Sequence, residues 1–204
     1  MTDPEAIVFV VDDDPSVRRS LKRLIRSAGF TVDSFASADE FLERPRPDIP
    51  GCLVLDILMP GVNGLDLQDE LAAAEVNLPV IFLTGYGTVP ASVQAMKAGA
   101  VDFFEKPVDD GALVGAIHQA VERSRRARLE QAETREIQRR VASLSPRERE
   151  VLSLLLTGML NKQIASQLGT TEKTIKVHRG RVMEKMRAGS MAELVWLAAK
   201  MGLR

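Results

Sequence analysis

Five short runs rich in Val, Ile, Leu and Phe recur through the first half of the chain, at 7–11, 31–35, 52–55, 80–84 and 101–105. Amphipathic stretches of helix length separate them, at 15–28, 37–44, 64–74 and 88–98, with a last one from 109 onward. No other feature restricts the fold as much. Short, mostly apolar strands need cover on both faces, and an intervening helix supplies it while returning the chain for a parallel strand. In 15–28, Val17, Leu21, Leu24, Ile25 and Ala28 recur at helical spacing. Pro60-Gly61, Asn63-Gly64 and Gly85-Tyr86-Gly87 place turns at the ends of runs. The pattern predicts an α/β domain built on a five-stranded parallel, doubly wound sheet.

The second half reads differently. Between Gly115 and Pro146 there is no Gly or Pro, and the segment is dense in Ala, Arg, Glu, Gln and Leu. These are strong helix formers, so the last helix of the first domain is expected to run on as a helical linker over 123–143. Val114, Ile117, Val121, Leu129 and Ala132 trace a narrow apolar seam. It is broken at Ser124-Arg125, which favours a solvated charged helix over a coiled coil. Ser145-Pro146-Arg147-Glu148 then announces a new helix with a capping box and Pro at the first helical position. Four helices follow, near 146–157, 161–168, 172–187 and 190–201, with breaks at Gly158, Gly169 and Gly189. The domains are therefore 1–122, the linker 123–143, and an all-α domain 144–204.

A net charge of −1 hides a division. Residues 1–122 carry −11 and residues 123–204 carry +10. The basic half calls for an anionic partner, nucleic acid above all. No apolar stretch approaches a membrane span, and the start, MTDPEAIVF, lacks the basic flank of a secretory signal. The single Cys52 excludes an internal disulfide, no Cys/His cluster offers zinc ligands, and Cys52 reads as a small buried hydrophobe. A cytoplasmic protein without membrane attachment is expected.

Asp12-Asp13-Asp14 follows the first apolar run and Asp56 ends the third, where open α/β sheets place ligands. Clustered carboxylates need a counter-charge. Asp12, Asp13 and Asp56 suit a hard divalent ion such as Mg2+ or Mn2+. A carboxylate beside such an ion can attack phosphorus to give an acyl phosphate. Thr84 ends the fourth run with a hydroxyl, and Lys106, followed by Pro107, ends the fifth with an ammonium. Each residue alone has a blander reading: a turn or cap Asp, a strand Thr, a core Phe at 103. Asp14 reads as the cap of the first helix. Jointly, the strand-end residues form a phosphoryl site.

The motifs VVDDDPSVRRSL, LVLDILMPGVNGLDL, VIFLTGYG and MKAGAVDFFEKP, in this order, closely resemble the receiver domain of two-component response regulators over residues 7–120. The resemblance implies a flavodoxin-like fold and transfer of a phosphoryl group from a sensor histidine kinase to Asp56. It implies Mg2+ bound by Asp13, Asp56 and the backbone carbonyl of Leu58, with Asp12 assisting. Lys106 and Thr84 would contact phosphoryl oxygens, and Phe103 would be the aromatic that turns inward when Thr84 shifts. Such a protein assists its own phosphorylation and dephosphorylation and is otherwise no enzyme. Leu58 and Tyr86 stand two residues beyond Asp56 and Thr84, where the family's side chains border the hydrolytic water. Both are bulky and neither is a carboxylate or amide, so slow self-dephosphorylation is expected. Two rivals stay open. Asp12-Asp13-Asp14 contains the D-x-D of haloacid-dehalogenase-type phosphatases, although Ser16 stands where those want Thr or Val and Asp109-Asp110 is poorly spaced as their later acidic pair. The receiver could also serve only as a dimerisation scaffold.

Residues 161–180 have helix-turn-helix spacing: small Ala165 at the helix contact, Gly169 at the turn, apolar Ile175 facing inward. At about 100° per residue, Ile175, Val182 and Met186 share one face. Lys173, Lys176, Val177, Gly180, Arg181 and Glu184 lie toward the other, suited to phosphates and base edges. LSPREREVLSLLLTGMLNKQIASQLGTTEKTIKVHRGRVMEKM resembles the LuxR/NarL/FixJ-type DNA-binding domain across 144–202, and the receiver motifs resemble the FixJ branch. By that resemblance Lys176, Val177 and Arg181 face the groove and Lys173 lies near the backbone. Gly180 stands where several relatives carry a basic residue. His178 reads as a packing or phosphate-contact residue and His118 as surface. The implied partners are a sensor kinase, promoter DNA, RNA polymerase, and a second copy when phosphorylated, paired through the face around 88–106.

Overall fold

Strands β1 (Ile7–Val11), β2 (Thr31–Phe35), β3 (Gly51–Asp56), β4 (Val80–Thr84) and β5 (Asp102–Glu105) form one parallel sheet in the order β2-β1-β3-β4-β5. Helices α1 (Pro15–Ser27), α2 (Ala38–Glu43), α3 (Gly64–Ala73) and α4 (Val89–Lys97) connect successive strands, and α5 (Asp110–Ala142) follows the last. The computed structural model describes residues 6–45, 47–74, 76–85 and 89–203, without the side chains of 89–91. It divides into two compact units, Met1–Arg128 and Leu129–Arg204.

Alternation along the strands builds two cores. Phe9, Val11, Leu53, Leu55 and Phe82 meet Phe35, Phe41, Leu67 and Leu71 on one face of the sheet. Val8, Val10, Val54, Ile81 and Leu83 meet Leu21 and Ile25 of α1 and Leu113, Ile117 and Val121 of α5 on the other. Each such side chain contributes roughly 1.5–3 kcal/mol by leaving water. Cys52 is buried here, and burial pushes its thiol up to about 12, leaving it inert. The strand order reverses between β1 and β3, so the crevice at the carboxyl ends of those strands is the switch point of the sheet.

The seam on α5 does not act as one surface. Ile117 and Val121 are buried in the receiver core, whereas Leu129 is 72% exposed and Ala132 is exposed. The break at Ser124 is itself a contact: Gly51 N–H donates to the buried Ser124 hydroxyl at 3.2 Å. Arg128 pairs with Asp48. Further on, Ile137 joins the core of the second unit, and Glu133 pairs with Lys200 at 2.5 Å.

Helices α6 (Pro146–Leu156), α7 (Asn161–Gln167), α8 (Glu172–Met186) and α9 (Met191–Lys200) complete the second unit. Its core contains Val151, Leu152, Leu155, Ile164, Ile175, Val182, Met186, Leu194 and Leu197. α8 ends at Arg187, left-handed at φ 53°, just before the break read at Gly189. At α6 the capping box is present: Ser145 N–H donates to Glu148 Oε2 at 2.8 Å, and Glu148 N–H to Ser145 Oγ at 3.3 Å. Glu148 also receives Lys185 Nζ at 2.6 Å, tying α6 to α8, and that hydrogen bond, with the one from Ser145, holds its carboxyl down at about 2. A depressed carboxyl stabilises the fold fully above the ordinary glutamate range, and its contribution is lost as pH falls from about 4.5 toward about 2. Glu148→Gln is therefore expected to flatten the acid limb of stability between those values, measured by urea unfolding of the two proteins across that range. Identical pH profiles would remove Glu148 as the cause.

Among the described residues, no helix is long and apolar enough to cross a membrane.

Candidate functional site

The strand register brings the anticipated acids together. Val11 pairs with Leu55 and Asp56 with Leu83, so Asp12, one residue past β1, lies beside Asp56 at the end of β3. Carboxylate oxygens of Asp12, Asp13 and Asp56 lie within 4.8 Å of one another. Asp12 and Asp56 are buried and Asp13 is exposed, so one side of the cluster opens to solvent. Lys106, just past β5, bridges the buried pair, its Nζ 2.7 Å from Asp12 Oδ2 and 2.6 Å from Asp56 Oδ2. Its backbone N–H donates to the Thr84 carbonyl at 2.7 Å, which links the ends of β4 and β5. Thr84 itself is fully buried.

The remaining carboxylate oxygens are held from the backbone. Leu58 N–H donates to Asp56 Oδ1 at 3.2 Å, and Asp14 N–H donates to Asp12 Oδ1 at 2.9 Å. Asp14 does not point into the cluster. It caps α1, accepting from Ser16 N–H and Val17 N–H at 2.6 and 3.4 Å. Phe103 is half-buried against the core, its ring centroid 6.5 Å from that of Phe82. Leu58 is 54% exposed at the rim. Tyr86 lies outside the described residues.

Electrostatics leave room for a further cation. Burial is the largest influence on Asp12 and raises its carboxyl above the ordinary aspartate value, despite the hydrogen bond and charge of Lys106. Burial also works against the Lys106 ammonium, but its hydrogen bonds to Asp12 and Asp56 prevail and its value is raised. Three carboxylates against one ammonium leave a site about two charges negative, with hard oxygen donors and an open side. That donor set fits a divalent ion that keeps part of its water.

Two contributors escaped the sequence reading. Arg18 Nη1 donates to the Asp12 carbonyl at 2.6 Å, one helical turn after the Asp14 cap, a spacing that could have flagged it. Gly64, noted only as a turn residue, starts α3 against the end of β3. A Cβ there would lie 2.3 Å from the Asp56 carbonyl oxygen, so only glycine permits this approach.

In the second unit, α7 and α8 flank a turn in which Gly169 takes φ 61°. Arg147 Nη2 donates to the Leu168 carbonyl at 2.6 Å, and Arg179 Nη1 to Asn161 Oδ1 at 3.3 Å, which fixes α8 against α7. Ile175, Val182 and Met186 are fully buried. Lys173, Lys176, Val177, Gly180, Arg181 and Glu184 are all exposed on the opposite side. His178 is half-buried, with no hydrogen-bond partner at Nδ1 among the described residues. His118 is exposed, its ring 4.8 Å from that of Phe30.

Comparison with known proteins agrees with both halves. Residues 8–118 match the response regulator receiver domain, and residues 142–198 match the bacterial regulatory proteins of the luxR family. Nodulation protein W of Bradyrhizobium diazoefficiens is 48% identical over 199 residues, 98% of this chain and 88% of that protein. The transcriptional regulatory protein FixJ of Azorhizobium caulinodans is 44% identical, covering 98% of this chain and 95% of that one. Among solved structures, response regulator StyR is similar with a TM-score of 0.88 at 45% identity, over 96% of this chain and 99% of that one. Full-length FixJ from B. japonicum gives 0.58 at 43% identity, over 97% and 98%. A receiver fold with an acidic crevice, followed by a helix-turn-helix with a basic exposed face and matched end to end by such relatives, places this chain in the two-component response regulators of the LuxR/FixJ type, which regulate transcription.

Proposed function

We propose that Asp56 is the phosphoacceptor and that its phosphorylation by a sensor histidine kinase drives pairing of the receiver and binding of promoter DNA. The observation that carries this reading is the Asp12–Asp13–Asp56 cluster bridged by Lys106. Oδ2 of Asp56 attacks phosphorus, the phosphorus–nitrogen bond of the donor phosphohistidine breaks, and the electron pair leaves with the imidazole. Asp12, Asp13, Asp56 and the Leu58 carbonyl would hold Mg2+ or Mn2+, which supplies charge neutralisation as the phosphoryl group approaches. Lys106, now on Asp56 Oδ2, is placed to follow the charge onto a phosphoryl oxygen. Thr84 donates its hydroxyl to another, and Phe103 turns inward as Thr84 moves. The receiver, helix α5 and the output domain then act in sequence. Pairing through the face around 88–106 lets two output domains engage two half-sites, with Lys173, Lys176, Val177, Gly180 and Arg181 toward the DNA. Contact with RNA polymerase completes the regulatory reading, in the cytoplasm. Intact mass after incubation with acetyl phosphate and Mg2+, for wild type and Asp56→Asn, tests the transfer step.

The rim residue sets a rate. The Leu58 side chain offers no polar atom to orient an attacking water, so the phosphorylated protein is expected to persist for minutes or longer. The lifetime is read from the decay of the phosphorylated mass in purified protein after removal of phosphodonor. Decay within seconds would count against this role for Leu58.

A further inference from the structure

Gly180 stands in the middle of α8, where glycine weakens a helix relative to alanine. Among the described residues of the second unit, nothing accounts for it. Its φ is not left-handed, and a Cβ at this position would meet no atom within 4 Å. Its surface neighbours, Lys176, Val177 and Arg181, are exposed, and the packed side of the helix is the other one. The reason for glycine is therefore sought in whatever this exposed face touches.

We infer that Gly180 is the point where the α8 backbone rests against DNA, so that the missing side chain sets how deeply the helix seats and which bases Lys176, Val177 and Arg181 reach. This rests on the reading of α8 as the DNA-contact helix. A helix with its side chains nearly fills the major groove, so one side chain fewer at the contact point brings the axis closer to the base edges. Val177 makes that closeness necessary. Its side chain is short, 49% exposed and apolar, and it can meet a thymine methyl only from a closely seated helix. Lys176 and Arg181 are long enough to reach from further away.

The two properties of Gly180 predict opposite effects of one substitution. In Gly180→Ala the second unit gains helix stability, seen as a rise of about 4 °C in its melting transition. At the same time, affinity falls at least about ten-fold for the duplex that wild type selects from a random pool, at fixed salt. Selection is run with the full chain, with and without acetyl phosphate and Mg2+. Gly115→Ala is the control, since Gly115 is equally open, lies in α5 and is remote from α8 in sequence. It should leave the selected duplex and its affinity unchanged. If Gly180→Ala is stabilised yet binds the wild-type duplex as tightly, the inference is overturned alone. If wild type enriches no duplex in either state, the DNA-contact reading of α8 fails and this inference fails with it.

Discussion

Asp56→Asn is expected to take up no phosphoryl group from acetyl phosphate and Mg2+, while wild type gains one. The loss should be at least about a thousand-fold in rate, equivalent to ~4 kcal/mol of barrier. An amide oxygen is a poor nucleophile, and the substitution also removes one of the charges that make the crevice attractive to a divalent ion. The fold should survive, because the asparagine side chain keeps an oxygen to accept the Leu58 N–H that now binds Asp56 Oδ1 at 3.2 Å. Unfolding curves of the two proteins check that. Label retained by the variant would move the acceptor to Asp12 and revive the phosphatase-like reading. Asp12 and Asp56 are held alike, each with Oδ1 on a backbone N–H and Oδ2 on Lys106, so the site of the label decides between them. Label on neither protein would favour the scaffold reading of the receiver.

Much of this site was legible in the sequence because its parts sit at strand ends. A run of four to six apolar residues announces a buried strand, and a polar residue at its end marks the rim of a parallel sheet. Asp12, Asp56 and Thr84 follow that rule, Lys106 ends the more polar run VDFFE, and the convergence of all four follows from the parallel order of β1, β3, β4 and β5. The second unit was legible for another reason: the capping box at Ser145 and the inward positions Ile175, Val182 and Met186 are local patterns. What escaped depends on contacts far apart in sequence or on backbone geometry. Ser124 looked like an interruption of an apolar seam, and only the sheet shows that it meets Gly51. Gly64 looked like an ordinary turn residue until the Asp56 carbonyl was seen against it. Arg187 in a left-handed conformation had no signature, since glycine is the residue type that usually takes it.

Ile137→Ala is expected to destabilise the second unit by about 2–4 kcal/mol, while Leu129→Ala, eight residues earlier on the same helix, changes stability by less than about 0.5 kcal/mol. Composition treats both as apolar residues of one charged helix. Burial separates them: Ile137 is 1% exposed within the second core, Leu129 is 72% exposed. Removing the Ile137 side chain leaves a cavity among packed neighbours, whereas alanine at 129 gives up little contact and favours the helix. The flanking ion pairs do not alter the comparison. Glu136 meets Arg139, Arg140 and Arg187 at the surface, where water screens such pairs. Trp196, the only tryptophan, lies in α9 and reports on this unit by fluorescence. Ile137→Ala should lower the urea midpoint it registers by at least about 1 M. Equal, small shifts for both variants would mean that the helix beyond Arg128 is a solvated connector. The expected contrast would mean that the output domain begins within α5, and that only the exposed turn around Leu129–Ala132 connects the segment held by Ser124 and Arg128 to the one held by Ile137.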